Sequence, residues 1–136
     1  MMSGGIMGER VVEGSAMIAG MSPELMPGRF VFLSFQGPVP TDISNAAIAS
    51  FREAEGWSIV APAELAPDEA AMALITLQVH SALEGVGLTA AVSVSLAEAD
   101  IPCNVVAAFH HDHIFVPEDC AERAVSVLKA RASSER

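Results

Sequence analysis

The sequence has no tyrosine, one tryptophan and two cysteines among 136 residues, and it is poor in positive charge. Lys129 is the only lysine, and the arginines are scattered. Seven basic residues against 17 acidic ones give a formal net charge of −10. Nucleic acid needs a patch of cations to neutralise its phosphates, and none is visible, so no nucleic-acid partner is expected. An anionic membrane surface would repel the chain for the same reason. There is also no run of roughly eighteen apolar residues, the length a spanning helix needs. Near the start, Glu9 and Arg10 separate Ile6-Met7 from Val11-Val12. Without a basic leader or a continuous apolar segment, no secretory signal is expected, and the chain reads as cytoplasmic. Cys103, in a predicted strand, and Cys120, at a predicted helix start, then read as reduced, packed thiols.

What the chain does have is small apolar residues. Hydrophobic residues make up 51% of it, and pairs such as Ala70-Ala71 and Ala90-Ala91 imply closely approaching backbones. The length fits one ordinary domain, or two small ones sharing a core.

Residues 1–20 read as an N-terminal tail, partly disordered. Arg29 to Phe35 is apolar on both faces, which predicts an interior strand or one covered in a homodimer. Gly37-Pro38-Val39-Pro40 breaks it. Thr41 or Asp42 then caps a predicted helix, with Ile43, Ala47, Phe51 and Ala54 on one face and Gly56 as its stop. Trp57 to Ala61 reads as a short strand, and the boundary between halves falls in Ala63 to Glu69.

Met72 to His80 alternates, with Ala73, Ile75, Leu77 and Val79 predicted to face the core. Ser81 to Gly87 is a loop. From Leu88 the period becomes helical, with Leu88, Val92, Leu96 and Ala99 on one stripe. Pro102 to Phe109 and His113 to Val116 read as a hairpin turning at His110-His111-Asp112. Pro117, with Glu118 and Asp119, suits the N-terminus of a helix whose buried side is Ala121, Ala124, Val125 and Leu128. A polar tail follows. The order from Met72 is strand, helix, strand, strand, helix, which predicts an α/β (α+β) ferredoxin-like fold of the βαββαβ kind. It lacks one strand, which Arg29 to Phe35 or Trp57 to Ala61 could supply.

The run from Val79 to Ser93, a strand end, a loop and a helix beginning just after a glycine, resembles the start of an ACT domain. Ile101 to Ala107 and His111 to Pro117 resemble the hairpin that follows it. Together they resemble a small bacterial family of paired ACT-like proteins, and more distantly the regulatory domains of aspartate kinases and arginine-sensing ACT proteins. The resemblance implies two degenerate ACT-like units sharing strands, over residues 21–69 and 70–132. It also implies a non-catalytic regulatory module that binds a small molecule such as an amino acid at the glycine loop; the expected departure from the family's regulatory pattern is the absence of an attached catalytic domain.

The candidate ligand residues are Ser81, Val86, Gly87, Leu88, Thr89 and Asn104. A helix N-terminus presents unpaired amides and a positive partial charge, which suits a carboxylate. The same glycines would equally serve a tight strand-to-helix turn with no ligand. The charge of −10 favours a zwitterionic amino acid over a dianion. His110, His111, Asp112 and His113 carry metal-binding chemistry. Adjacent strand residues point to opposite faces, however, so a polar turn is the competing reading. No nucleophile elbow, phosphate loop or dinucleotide fingerprint is present, so neither catalysis nor a cofactor is expected. The alternative function is a structural or protein-interaction module with an empty site, or metal binding at the histidine turn.

Overall fold

The computed structural model describes residues 14–79 and 86–136. Helix α1 (Gly14–Ala19) leads into strands β1 (Pro23–Leu25) and β2 (Phe30–Phe35). Helix α2 (Thr41–Ala46) precedes the hairpin of β3 (Ala49–Glu53) and β4 (Gly56–Pro62), and a 3-10 turn at Ala63–Leu65 ends this half. The other half runs β5 (Met72–Leu77), α3 (Leu88–Glu98), β6 (Asn104–Ala107), β7 (Asp112–Pro117), a 3-10 turn at Glu118–Cys120 and α4 (Ala121–Ser134).

The strands form one antiparallel sheet in the order β3-β4-β2-β5-β7-β6, and β1 also pairs with β5. That last pairing supplies the missing strand. Pro23 lies opposite Leu77 and Leu25 opposite Ile75, Met26 N–H donates to Leu74 O at 2.9 Å, and Phe30 lies opposite Met72. The stretch from Pro23 to Phe35 is thus one path interrupted near Pro27-Gly28. Its first part completes β1-β5-β7-β6, and its second part forms β2 beside β4. β5 also meets β2 at the single pair Phe30–Met72, which joins both sets of strands in one sheet. This is the ferredoxin-like arrangement expected from Met72 onward. The strand that closes it is Pro23–Leu25 rather than Trp57 to Ala61, and β2 contributes only Phe30. A three-residue strand opening on proline is too short to show alternation, which hid it.

Directly opposed residues share a face, so the register sorts the side chains. Ala73, Ile75, Leu77, Ile114 and Val116 pack with Met17, Met21, Val92, Leu96 and Leu128 from α1, α3 and α4 in the main core. In the other half Ile59 and Ala61 pack with Ile43 of α2. The opposite face of the sheet carries Phe30, Val60, Leu74 and Phe115.

Several expectations are corrected. Gly14–Ala19, read as tail, is a helix; its Met17, and Met21 just after it, are among the most deeply buried side chains. The helix predicted through Ala54 stops at Ala46. Ala49–Glu53 is a strand paired to β4, and Phe51 is 72% exposed. Gly56 is a hairpin residue at φ +131°, and a Cβ there would lie 2.2 Å from Phe35 O, so only glycine fits. Asp112 belongs to β7 and is buried rather than in the turn. Pro117 closes β7, and α4 starts after the 3-10 turn and runs to Ser134, with Ala132 buried where a polar tail was expected. Among the described residues no helix is long and apolar enough to cross a membrane.

Candidate functional site

Two places are candidates. The first is the start of α3. Gly87 is the N-cap residue at φ 107°, a conformation that glycine adopts without penalty, and no side chain caps the helix. The first intrahelical bond runs from Ala91 N–H to Gly87 O at 2.9 Å, so the amides of Leu88, Thr89 and Ala90 precede the helical ladder. Leu88 is buried in the main core and fixes the helix start, while Val86 and Thr89 are exposed. Ser81, like His80 and Gly85, lies outside the described residues.

Asn104 is not brought to this start. It lies opposite Phe115, which lies opposite Leu74, three residues short of the Leu77 end of β5. That is roughly 10 Å along the strand. Its side chain also shares the Phe115 face, whereas Leu88 and α3 pack on the other. The antiparallel course of the β6-β7 hairpin explains the separation, because β6 begins at the far end of the sheet.

The second place is a cavity of about 500 Å³ on the Phe115 face. Phe30, Leu74, Val106 and Phe115 form apolar wall, and Thr76, Gln78, His111 and His113 lie along one side. Thr76 is 4% exposed, and its Oγ1 is 3.0 Å from His113 Nδ1 directly across the β5-β7 pairing. Burial lowers the His113 pKa from the ordinary 6.5, His111 lowers it further, and Asp112 opposes. Burial thus favours the neutral imidazole of His113. His111 Nδ1 lies 3.0 Å from Leu77 O, and a carbonyl only accepts, so Nδ1 carries the proton. Gln78 Nε2 donates to Glu24 Oε1 at 2.9 Å, tying β1 to the end of β5.

The histidine turn is divided by this geometry. His111 and His113 line the cavity, with ring centroids 6.3 Å apart, whereas His110 does not line it and meets Phe109 edge-on at 5.0 Å. Among the described residues no three His, Cys, Asp or Glu side chains are grouped to hold a metal ion. Cys103 and Cys120 are free thiols, and burial pushes the Cys103 thiol up while a hydrogen bond with Ser93 opposes this. Sequence reasoning overlooked the cavity. Its signal was present in Thr76 and Gln78, polar residues at alternate positions opposite the core set of β5.

Residues 70–130 match a family model of the ACT domain, and residues 13–76 match a second ACT-domain model. No curated protein matches the chain. Among solved structures, a Vibrio cholerae protein of unknown function, described as a possible transport protein, is 45% identical with a TM-score of 0.74; the alignment covers 84% of this chain and 92% of that one. An Agrobacterium tumefaciens protein is 20% identical with a TM-score of 0.67, covering 82% and 88%. The regulatory subunit of aspartate kinase from Thermus thermophilus is 10% identical with a TM-score of 0.61, covering 83% and 97%, a likeness of fold. With both halves matched and the first of these structures so similar along its length, the chain belongs to the ACT-domain family as a pair of ACT units in one sheet.

Proposed function

We propose that this protein is a non-catalytic, cytoplasmic regulatory ACT module that binds a small molecule, an amino acid, at the N-terminus of α3. The observation that carries the reading is the uncapped helix start at Gly87. Three amides precede the helical ladder there, and the helix dipole adds to their attraction for a carboxylate. The chain's charge of −10 disfavours a dianion, so a zwitterion suits the site. The fold shared with an aspartate kinase regulatory subunit fits such a role.

A thermal-shift screen of the twenty amino acids tests this. A ligand at a hundredfold its dissociation constant should stabilise the chain by about 2.7 kcal/mol. Gly87→Val should weaken that ligand more than it lowers Tm, because valine both strains the positive φ and crowds the amides. A folded chain that no amino acid stabilises would overturn the reading.

The same proposal includes self-association as a homodimer. Phe51 on the edge strand β3 and Phe32 on β2 are exposed on the same face and supply apolar contact. Light scattering should give twice the 14.2 kDa of one chain, and a clean monomer at micromolar concentration would count against it.

A further inference from the structure

We infer that the cavity on the Phe115 face is a second ligand site, for an uncharged, mostly apolar molecule whose one hydrogen-bonding group meets His113 Nε2. The cavity lies on the other side of the sheet from α3, so it is independent of the amino-acid reading. Its volume of about 500 Å³ falls within the roughly 300–1,000 Å³ of small-molecule sites.

The chemistry follows from the wall. No Asp, Glu, Lys or Arg lines the cavity, so a charged ligand would lose its hydration without gaining a counter-charge. Phe115 is held edge-on by Phe30 at 6.3 Å and by Phe32 at 5.2 Å, which makes a stiff aromatic wall suited to a flat apolar body. The polar groups are confined to one side. A threonine at a 4% exposed position within an apolar face is unusual for packing alone, where valine would fill the same space. Here the Thr76 hydroxyl engages His113 Nδ1 and so fixes the ring. Among the described residues nothing bonds His113 Nε2. A held, half-buried imidazole with one nitrogen committed offers a single directed hydrogen bond, and in its neutral form it suits a neutral partner group. The site therefore calls for one apolar ring or branched chain and one hydroxyl or amide.

The test is a titration of the isotope-labelled full chain, followed by NMR, with 4-methylphenol and with toluene, its counterpart lacking the hydroxyl. Both should shift the Leu74 and Phe115 signals saturably, and 4-methylphenol should bind about two- to tenfold more tightly. Only 4-methylphenol should move the His113 ring nitrogens. His113→Phe should abolish the preference while toluene still binds, and Thr76→Val should reduce it by freeing the ring. If His113→Phe does not fold, Thr76→Val decides. Absence of saturable shifts at Leu74 and Phe115 would overturn the site. So would a preference that survives both substitutions, or a homodimer through Phe32 and Phe51, which lie on this same face, that keeps 4-methylphenol from His113. Because amino acids would instead perturb the Leu88 to Ala90 amides, failure here and failure of the first reading are separately visible.

Discussion

In the second ACT unit, α3 and α4 run 11 and 14 residues and join α1 over a large apolar core. In the first unit the corresponding positions hold the six-residue α2 and a single 3-10 turn of three residues, over a cluster built on Ile43, Ile59 and Ala61. Both units keep the strand plan, so the sheet alone does not require long helices. The helices decide how much apolar surface leaves water, and that term dominates stability. The second unit therefore holds the pair together. The first, thinly covered, keeps Phe32 and Phe51 exposed, which suits contact with a partner better than it suits independent folding.

The sharpest break in that comparison is to cut the units apart. Residues 70–136 alone lose β1, the edge partner of β5, and also lose Met17 and Met21 from the main core. A fragment of that size is marginal even when complete. We expect an unfolded or aggregating product. A permuted chain that appends residues 14–27 after α4 through a flexible linker should restore dispersed amide signals, since Arg136 already reaches Ala19 O at 3.1 Å. If the bare fragment is sharp and soluble, the shared strand is dispensable.

Next in size come core truncations. Leu128→Ala, in the main core, should cost about 3–5 kcal/mol in denaturant unfolding, whereas Ile43→Ala, in the small cluster, should cost about 2 kcal/mol or less. Equal costs would mean that the thin unit carries as much of the stability as the thick one.

The same asymmetry decided what was legible in the sequence. The existence of β5, α3 and α4 was legible in the sequence, and Ala121, Ala124 and Leu128 mark the packed side of α4. The start of α4 was placed too early, at Pro117, and its end too soon. The stretch from Ala47 to Ala54 misled because its apolar residues also fit a helical spacing, and β3 is an edge strand with little burial to enforce alternation. Pairing with β4 overrode the local preference. Gly56 was the available clue: a glycine at positive φ, with no room for a Cβ beside Phe35 O, marks a hairpin as readily as a helix stop. α1 left a trace in Met17, Ile18 and Met21, but six residues are too few for a convincing pattern. At the sites, the glycine turn was visible as a motif. The cavity required the register that sets Thr76 against His113, a long-range pairing no local pattern encodes.

A smaller effect separates the two faces by pH. The pKa of His113 is lowered on folding, so the unfolded chain binds the proton more readily. Stability from this group is fully present above 6.5 and is lost as pH falls through the lower folded value. Tm should decline as pH falls below neutral, and His113→Gln should flatten part of that slope. A slope unchanged by the substitution would place the responsible group elsewhere.

The smallest effect should come from the ion pair that spans the units. Arg29, just before β2, donates through Nε and Nη2 to both oxygens of Glu118, at 3.0 and 2.8 Å, in the turn before α4. The geometry is bidentate, and it raises the arginine pKa and lowers that of the carboxyl. The sign favours folding above the ordinary carboxylate range, with loss on acidification. Yet the side chains are 61% and 45% exposed, so water competes for both and salt screens what remains. Backbone bonds already fix both ends, from Ala63 N–H to Arg29 O at 2.9 Å and from Glu118 N–H to Ala71 O at 3.4 Å. Glu118→Gln should therefore leave Tm almost unchanged at neutral pH, and molar salt should have as little effect on the parent chain. A drop of several degrees, removed by salt, would show that charge joins the two units more than the exchanged strand does.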